Sequence, residues 1–210
     1  MDGPTDGREA IVLPAPTFDG CRDLFETLKL RHTSREISTR EIPAQALSDI
    51  LWAAQGVNRE QGPFGGLGRT AGSASNSQEI RTYVLLEAGT YLYEPELHRL
   101  APVAAGDIRR LAIGRGQQPA GADAPVRLVY VVDMERFQHA GFPEPGLYDA
   151  EIQKSYYYVD TGLIAQNVYL AAASLGLAAW FHNCDKEGFA EAIGLGPDLR
   201  PLFGQTLGWA

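Results

Sequence analysis

Residues 151–175 carry the pattern that most limits what this chain can fold into. They form the longest helix candidate, with Ile164, Val168, Ala171, Ala172 and Leu175 following one face. Small residues cover much of the rest, and a helix apolar on more than one side is buried on more than one side. Gly162 inside it costs about 1 kcal/mol relative to alanine. Close packing against a flat partner would explain its presence there.

The other elements arrange themselves around this helix. Residues 1–20, with prolines at 4, 14 and 16, predict an extended arm that wraps a neighbour or frays. A first helix is predicted from about Asp23 to Leu30, with Leu24, Phe25 and Leu28 on its apolar side. A stronger one starts near Pro43, which suits a first helical position. Leu47, Ile50, Leu51 and Ala54 follow at helical spacing, and Gly56 is the expected stop. Residues 60–76 are a loop rich in Gly, Ser and Ala. Thr82 to Leu86 and Tyr91 to Tyr93 predict two strands joined at Ala88-Gly89. Residues 107–113 suit a short helix, and Arg127 to Val132 a central strand. Residues 136–150 predict a loop, Leu177 to Phe181 a buried strand, Lys186 to Ile193 a short helix, and Phe203 to Trp209 a last strand. Mixed helices and strands with hairpin and crossover connections fit an α+β domain over residues 21–210.

Charge and cysteine content narrow the function classes. A formal net charge of -8 argues against non-specific nucleic-acid binding. The cations are mostly arginine, with lysine only at 29, 154 and 186; arginine suits planar recognition of phosphate or carboxylate. Cys21 and Cys184 are too far apart for a CxxC pair. They are compatible with a reduced, cytoplasmic setting and also with an exported protein without disulfides. No apolar run reaches the length of a membrane span, and Met1 to Ala10 do not resemble a signal peptide.

Three segments could carry chemistry. Arg31-His32-Thr33-Ser34-Arg35 offers two guanidinium groups, an imidazole and two hydroxyls. Arg31, Thr33 and Arg35 can converge on one anion, with guanidinium groups binding phosphate oxygens in bidentate fashion; a solvated basic loop or helix cap would look the same. In Gly72-Ser73-Ala74-Ser75-Asn76-Ser77-Gln78, small residues let a flat ligand approach the backbone. Asn76 and Gln78 carry paired donors and acceptors suited to a heteroaromatic ring edge, although turn-forming surface residues give a similar string. The third segment, Leu175 to Asn183, is a helix exit and buried strand whose end can place backbone N–H groups against a cofactor, or which simply fills the core. The phosphate-loop motif, a complete GxGxxG, HExxH and GxSxG are all missing. His182, Cys184 and Asp185 fit a structural role better than a metal site.

Taken in order, these segments resemble the nitroreductase family. Its opening Arg-(Arg/His)-Ser-x-(Arg/Lys) is similar to Arg31-His32-Thr33-Ser34-Arg35, and its Pro-Ser-x-x-Asn-type loop to Gly72–Gln78. "IPAQALSDILWAAQGVN" (Ile42 to Asn58), "YLYEPELHRL" (Tyr91 to Leu100) and "DTGLIAQNVYLAAASLGL" (Asp160 to Leu177) resemble the branch that includes azoline-oxidising dehydrogenases of peptide biosynthesis. The likeness covers roughly residues 11–209, and its specificity lies in the ordered set.

The resemblance implies a central, mostly antiparallel sheet flanked by helices in an intertwined homodimer, with FMN at the interface. Arg31, His32, Thr33 and Arg35 would hold the ribityl phosphate and pyrimidine edge. Ser73, Ala74, Ser75 and Asn76 would come from the other subunit. Gln117 or Gln118 would contact the ring, and Trp180, Phe181, His182 and Asn183 would pass beside it. The implied activity is reduction of a nitroaromatic, quinone or enone by NADPH or NADH in a ping-pong cycle, with the chemistry at the flavin N5 and no catalytic side chain assigned. Two alternatives stand beside it: a flavin dehydrogenase that oxidises an azoline-type substrate with oxygen as acceptor, and a non-catalytic flavin binder. Gly72 and Glu79 stand where many members have proline, and Thr33 where they have serine. No Lys or Arg follows Arg200 to meet the flavin phosphate. Arg31 and Arg35 would then suffice, Arg200 would substitute, or FMN would be held weakly. Lys154 and Tyr156 suggest the Lys/Tyr base of the azoline enzymes, but fit better as a solvated lysine and packed tyrosines.

Overall fold

A computed structural model describes residues 7–19, 21–117, 123–140 and 148–210. Its frame is a seven-stranded sheet in the order β1-β6-β5-β4-β7-β9-β8. The strands are β1 (Ile11–Val12), β4 (Ile80–Leu86), β5 (Gly89–Glu94), β6 (Arg99–Ala105), β7 (Val126–Asp133), β8 (Ala178–His182) and β9 (Leu199–Gly208). Every pairing in it is antiparallel. A separate ribbon joins β2 (Val57–Arg59) to β3 (Gly68–Arg69). The helices are α1 (Leu24–Leu30), α2 (Ala44–Gln55), α3 (Met134–Gln138), α4 (Ala150–Ser174) and α5 (Lys186–Ala192). The α+β expectation holds.

Layering follows from the pattern of each element. All eight residues of β7 are buried, as expected of a strand covered on both faces. On one face Val84, Leu128, Tyr130 and Leu207 pack with Ile50 and Leu51 of α2 and Ile164 and Val168 of α4. On the other, Tyr83, Leu85, Val129 and Val131 pack with Phe189 of α5 and Ala112.

The helix ends are chemically defined. Asp149 caps α4 by accepting from Glu151 and Ile152 N–H. The helix closes at Gly176, whose φ of +73° lets Leu177 N–H return to Ala172 C=O at 2.8 Å. Gly56 ends α2 for a different reason from the one expected. Its φ is −64°, which any residue can adopt, but a Cβ there would lie 2.4 Å from Trp52 Cδ1. Pro43 sits at the cap of α2, one position before its first helical residue.

Several expectations shift. The apolar side of α1 faces outward: Leu24, Phe25 and Leu28 are exposed and Thr27 is buried. The N-terminal segment lies against its own chain, where Ile11–Val12 pair with β6 and Gln45 and Ser48 bond the carbonyls of Ala15 and Pro14. Further strand segments and a helix emerge: β6, the first four residues of β9, the β2-β3 ribbon, and α3 within the stretch predicted as a loop. The predicted helix at 107–113 is a single 3-10 turn at Arg109–Ala112. No described helix is long and apolar enough to cross a membrane.

Candidate functional site

The segment 31–35 lies across the start of β8. Ser34 N–H donates to Ala179 C=O at 3.0 Å, and further on Ser38 N–H donates to Trp209 C=O at 2.8 Å. These two bonds fix an otherwise irregular stretch. The Arg31 guanidinium lies 5.4 Å from the ring of Tyr169 and that of Arg35 5.6 Å from Trp180, close enough for cation–π attraction. Among the described residues neither arginine forms an ion pair. Tyr169, which the sequence did not single out, joins three elements: its hydroxyl meets Thr33 Oγ1 at 3.0 Å and accepts from Phe181 N–H at 2.7 Å. A small cleft of about 190 Å³ lies beside it, lined by His32, Tyr169, Ala178 and Ala179 among others.

The second candidate segment is strained and tightly braced. Ser75, Asn76 and Gln78 have φ of +51°, +53° and +50°, left-handed conformations that cost roughly 1 kcal/mol or more each outside glycine. Side chains hold them there. Gln78 Nε2 donates to Leu67 C=O and to Asn76 Oδ1, Asn76 Nδ2 donates to Pro63 C=O, and Ser73 Oγ accepts from Gln78 N–H. The side-chain donors of Asn76 and Gln78 are therefore occupied within the loop, which leaves its backbone and small side chains as the surface a ligand can meet.

Beneath this loop lie two buried carboxyl groups. Asp160 of α4 accepts from Ala74 N–H at 2.8 Å, and Ser77 Oγ donates to Glu79 Oε2 at 2.6 Å. Glu79 is fully buried, and among the described residues no N–H or O–H reaches its Oε1. Burial, then the facing Asp160 charge, pushes Glu79 up to about 8. Burial also raises Asp160, against the opposing effect of the Ala74 bond. A neutral Glu79 has a proton to donate, and Asp160 is the acceptor beside it. Asp160 had a signal in the sequence: it is the only Asp, Glu, Lys or Arg between Lys154 and Asp185.

A third group gathers at the end of β8. Gly114 N–H donates to Asn183 C=O, and the turn from Gly114 closes through Gln117 N–H, both at 2.8 Å. This brings Gln117 beside Asn183; Gln118 lies outside the described residues. The His182 ring is turned inward, with Nδ1 at 2.9 Å from Asn183 C=O and Nε2 at 2.8 Å from Thr206 Oγ1. Burial lowers its pKa to about 4, so the imidazole is neutral and structural. Cys184 is a buried thiol that burial pushes up to about 11. No group of three or more His, Cys, Asp and Glu among the described residues could hold a metal.

Within one chain the first two segments stay apart. Asp160 and Tyr169 are nine residues apart on α4, about 14 Å along its axis and on opposite sides, at 100° per residue. They border an exposed arc of Ile152, Ser155, Val159, Gly162, Leu163 and Gln166, which carries no charge. Among the described residues, nothing beyond the helix's own backbone lies within 4 Å of a Cβ built on Gly162. Arg200 pairs with Val132, at the far end of β9 from Leu207, which faces Ala179, so it does not join Arg31 and Arg35 in the same chain. Lys154 is exposed, while Tyr157 and Tyr158 pack together at 4.9 Å.

The model of the Nitroreductase family matches residues 28–209. The chain belongs to the nitroreductase family. A Methanocaldococcus jannaschii protein named among the nitroreductases, MJ1384, is 32% identical over 161 residues, which cover 73% of this chain and 75% of that protein. A Ralstonia eutropha protein, also named among the nitroreductases, superposes with a TM-score of 0.84 at 33% identity, over 99% of this chain and 92% of that one. The fold recurs in the Escherichia coli microcin synthetase McbBCD complex, with a TM-score of 0.66 at 18% identity, over 98% of this chain and 79% of that one. Nitroreductase family membership makes this chain an oxidoreductase.

Proposed function

We propose that this nitroreductase-family chain is an FMN-dependent oxidoreductase that uses NADPH or NADH to reduce an electron-poor organic acceptor, with each flavin shared between two protomers. The carrying observation is the pair of guanidinium groups, Arg31 and Arg35, held over aromatic rings with no carboxylate partner among the described residues. Such groups suit a phosphate, and Thr33 supplies a hydroxyl beside them. The family generally uses flavin cofactors, so the residues present fit FMN at its phosphate end.

The remaining contacts divide by chemistry. The small residues Ser73, Ala74 and Ser75, with Asn76, offer a flat ring a close backbone approach. Trp180 to Asn183 offer main-chain groups at the strand end, where His182 contributes through its backbone because its ring is engaged, and Gln117 stands next to Asn183. FMN, when bound, supplies the two-electron chemistry between NAD(P)H and the acceptor. The chain's residues bind it, orient it and exclude water.

Sharing between protomers follows from the uncharged arc of α4. A second copy laid across it by a two-fold axis brings the Asp160 side of one chain towards the Tyr169 side of the other. The exposed apolar side chains of α1, a helix that packs on α4, add further uncovered apolar surface.

The absorbance spectrum of purified protein tests the reading. Flavin bands that bleach anaerobically with NADPH or NADH are expected. A colourless protein that takes up no added FMN contradicts it. The shared fold with the microcin synthetase complex favours one second reading, oxidation of an azoline-type substrate with oxygen as acceptor. Slow bleaching by both nicotinamides, with fast bleaching by a thiazoline- or oxazoline-containing peptide, would select that direction.

A further inference from the structure

A second cavity, of about 750 Å³, opens beside β3, β4 and β5, away from Arg31 and Arg35. That volume lies within the range of sites for small organic ligands. Five of the chain's fifteen arginines line it, in a chain whose formal net charge is -8. Arg69 is 7% exposed, yet among the described residues its Nε–H has no acceptor and its only ion-pair partner is Glu96, at 3.6 Å, whose side chain is 60% exposed. Arg136 adds to its difficulty: after burial, the positive charge of Arg136 is the main influence that lowers the Arg69 pKa.

Arg99 pairs with Glu94, but the nearby carboxylates do not balance Arg69, Arg81 and Arg136. Asp133 caps α3 through Oδ1, to Glu135 and Arg136 N–H, both at 3.1 Å. Its Oδ2 takes Arg81 Nε at 2.8 Å and stands 3.7 Å from Arg136 Nε. One buried carboxylate thus serves two guanidinium groups, and one exposed carboxylate serves the third. A buried charge without adequate pairing is costly, and an anion in the cavity would relieve it. Tyr93, near Arg69, supplies apolar wall.

We infer that this cavity binds a small organic anion, with a carboxylate or phosphate held by Arg69 and Arg136 beside Arg81 and an apolar body against Tyr93. The site is separate from the residues assigned to FMN. Arg136 Nη1 lies 3.5 Å from Gln78 C=O, so the cavity backs onto the strained loop.

The test titrates phenyl phosphate, benzoate and neutral benzamide by calorimetry into protein pre-saturated with FMN, so that the flavin-phosphate contacts are not read. At least one anion is expected to bind saturably, near one per protomer, while benzamide does not. Preference between the two anions assigns the head group. Arg136→Gln should weaken that binding about tenfold or more, whereas Arg115→Gln, at an exposed pair with Asp185, should leave it unchanged. In the unsubstituted protein the Arg69 Nε–H resonance should shift on titration, a readout that does not depend on any variant folding. Absence of saturable binding by both anions, equal binding of benzamide, or full affinity in Arg136→Gln overturns the inference.

Discussion

The two segments proposed to hold the flavin are built in opposite ways. Residues 31–35 lie at the surface, tied down by two backbone bonds, one tyrosine hydroxyl and two aromatic faces, with their cations unspent. Residues 73–78 are internally satisfied, strained, and seated on a buried carboxyl pair. The first region keeps its charge for a ligand. The second fixes a backbone shape and has almost no side-chain donors to offer. Binding energy should therefore come from the first and ring placement from the second.

The largest effect should follow from removing the unspent charges. Arg31→Gln/Arg35→Gln should weaken FMN binding roughly 100- to 1,000-fold, from two charge-assisted contacts. The melting temperature of the flavin-free protein should hardly move, because neither arginine forms an ion pair among the described residues. Fluorescence titration and a thermal melt measure both; a large loss of stability in the flavin-free protein would mean that the charges are structural.

Tyr169→Phe should act on both stability and affinity. It removes the acceptor for Phe181 N–H and the partner of Thr33, at a cost of about 1–3 kcal/mol in denaturant unfolding, with a smaller, severalfold loss of FMN affinity.

The smallest effect concerns the loop seat, and it depends on pH. Glu79 is raised in the folded state, so the folded protein retains a proton that the unfolded chain loses. The stability this provides is complete below the ordinary glutamate range and is lost as pH rises towards about 8. Glu79→Gln keeps a donor towards Asp160 without that titration. Its stability relative to the unsubstituted protein should grow from pH 7 to pH 9 by on the order of 1–2 kcal/mol. Parallel pH curves for the two proteins would show that Glu79 does not titrate in this window.

Much of this comparison was legible in the sequence. Helical spacing located α2 and α4, and β-branched runs located β4 and β7. Three short strands, β1, β2 and β3, escaped because two or three residues carry no alternation, and the longer stretches that escaped contain proline. Pro102 in β6 and Pro201 in β9 each sit beside a register shift, opposite Tyr91 and Val131, where a strand tolerates a missing N–H. The segments 31–35 and 73–76 were recognisable by composition and order, but their support was not. Tyr169 looks like any core tyrosine of a long helix until the fold carries Thr33 and Phe181 to it. The pairing of Glu79 with Asp160 joins residues about eighty apart, and only the charge-poor surroundings of Asp160 marked it. The outward face of α1 escaped because an apolar stripe does not state whether it meets its own core or a second chain.

The central claim is that these two unlike regions meet across a dimer, and mixed dimers test it directly. One protomer carries Arg31→Gln/Arg35→Gln. The other carries Ser75→Pro, which cannot adopt the φ of +51° that the loop needs. Each variant alone should bind almost no FMN. After co-refolding and isolation of the mixed species by differential tags, one flavin site per dimer should return, because one interface then pairs an intact arginine segment with an intact loop. A mixed dimer as flavin-free as its parents would show that both regions must come from one chain, and would contradict the account.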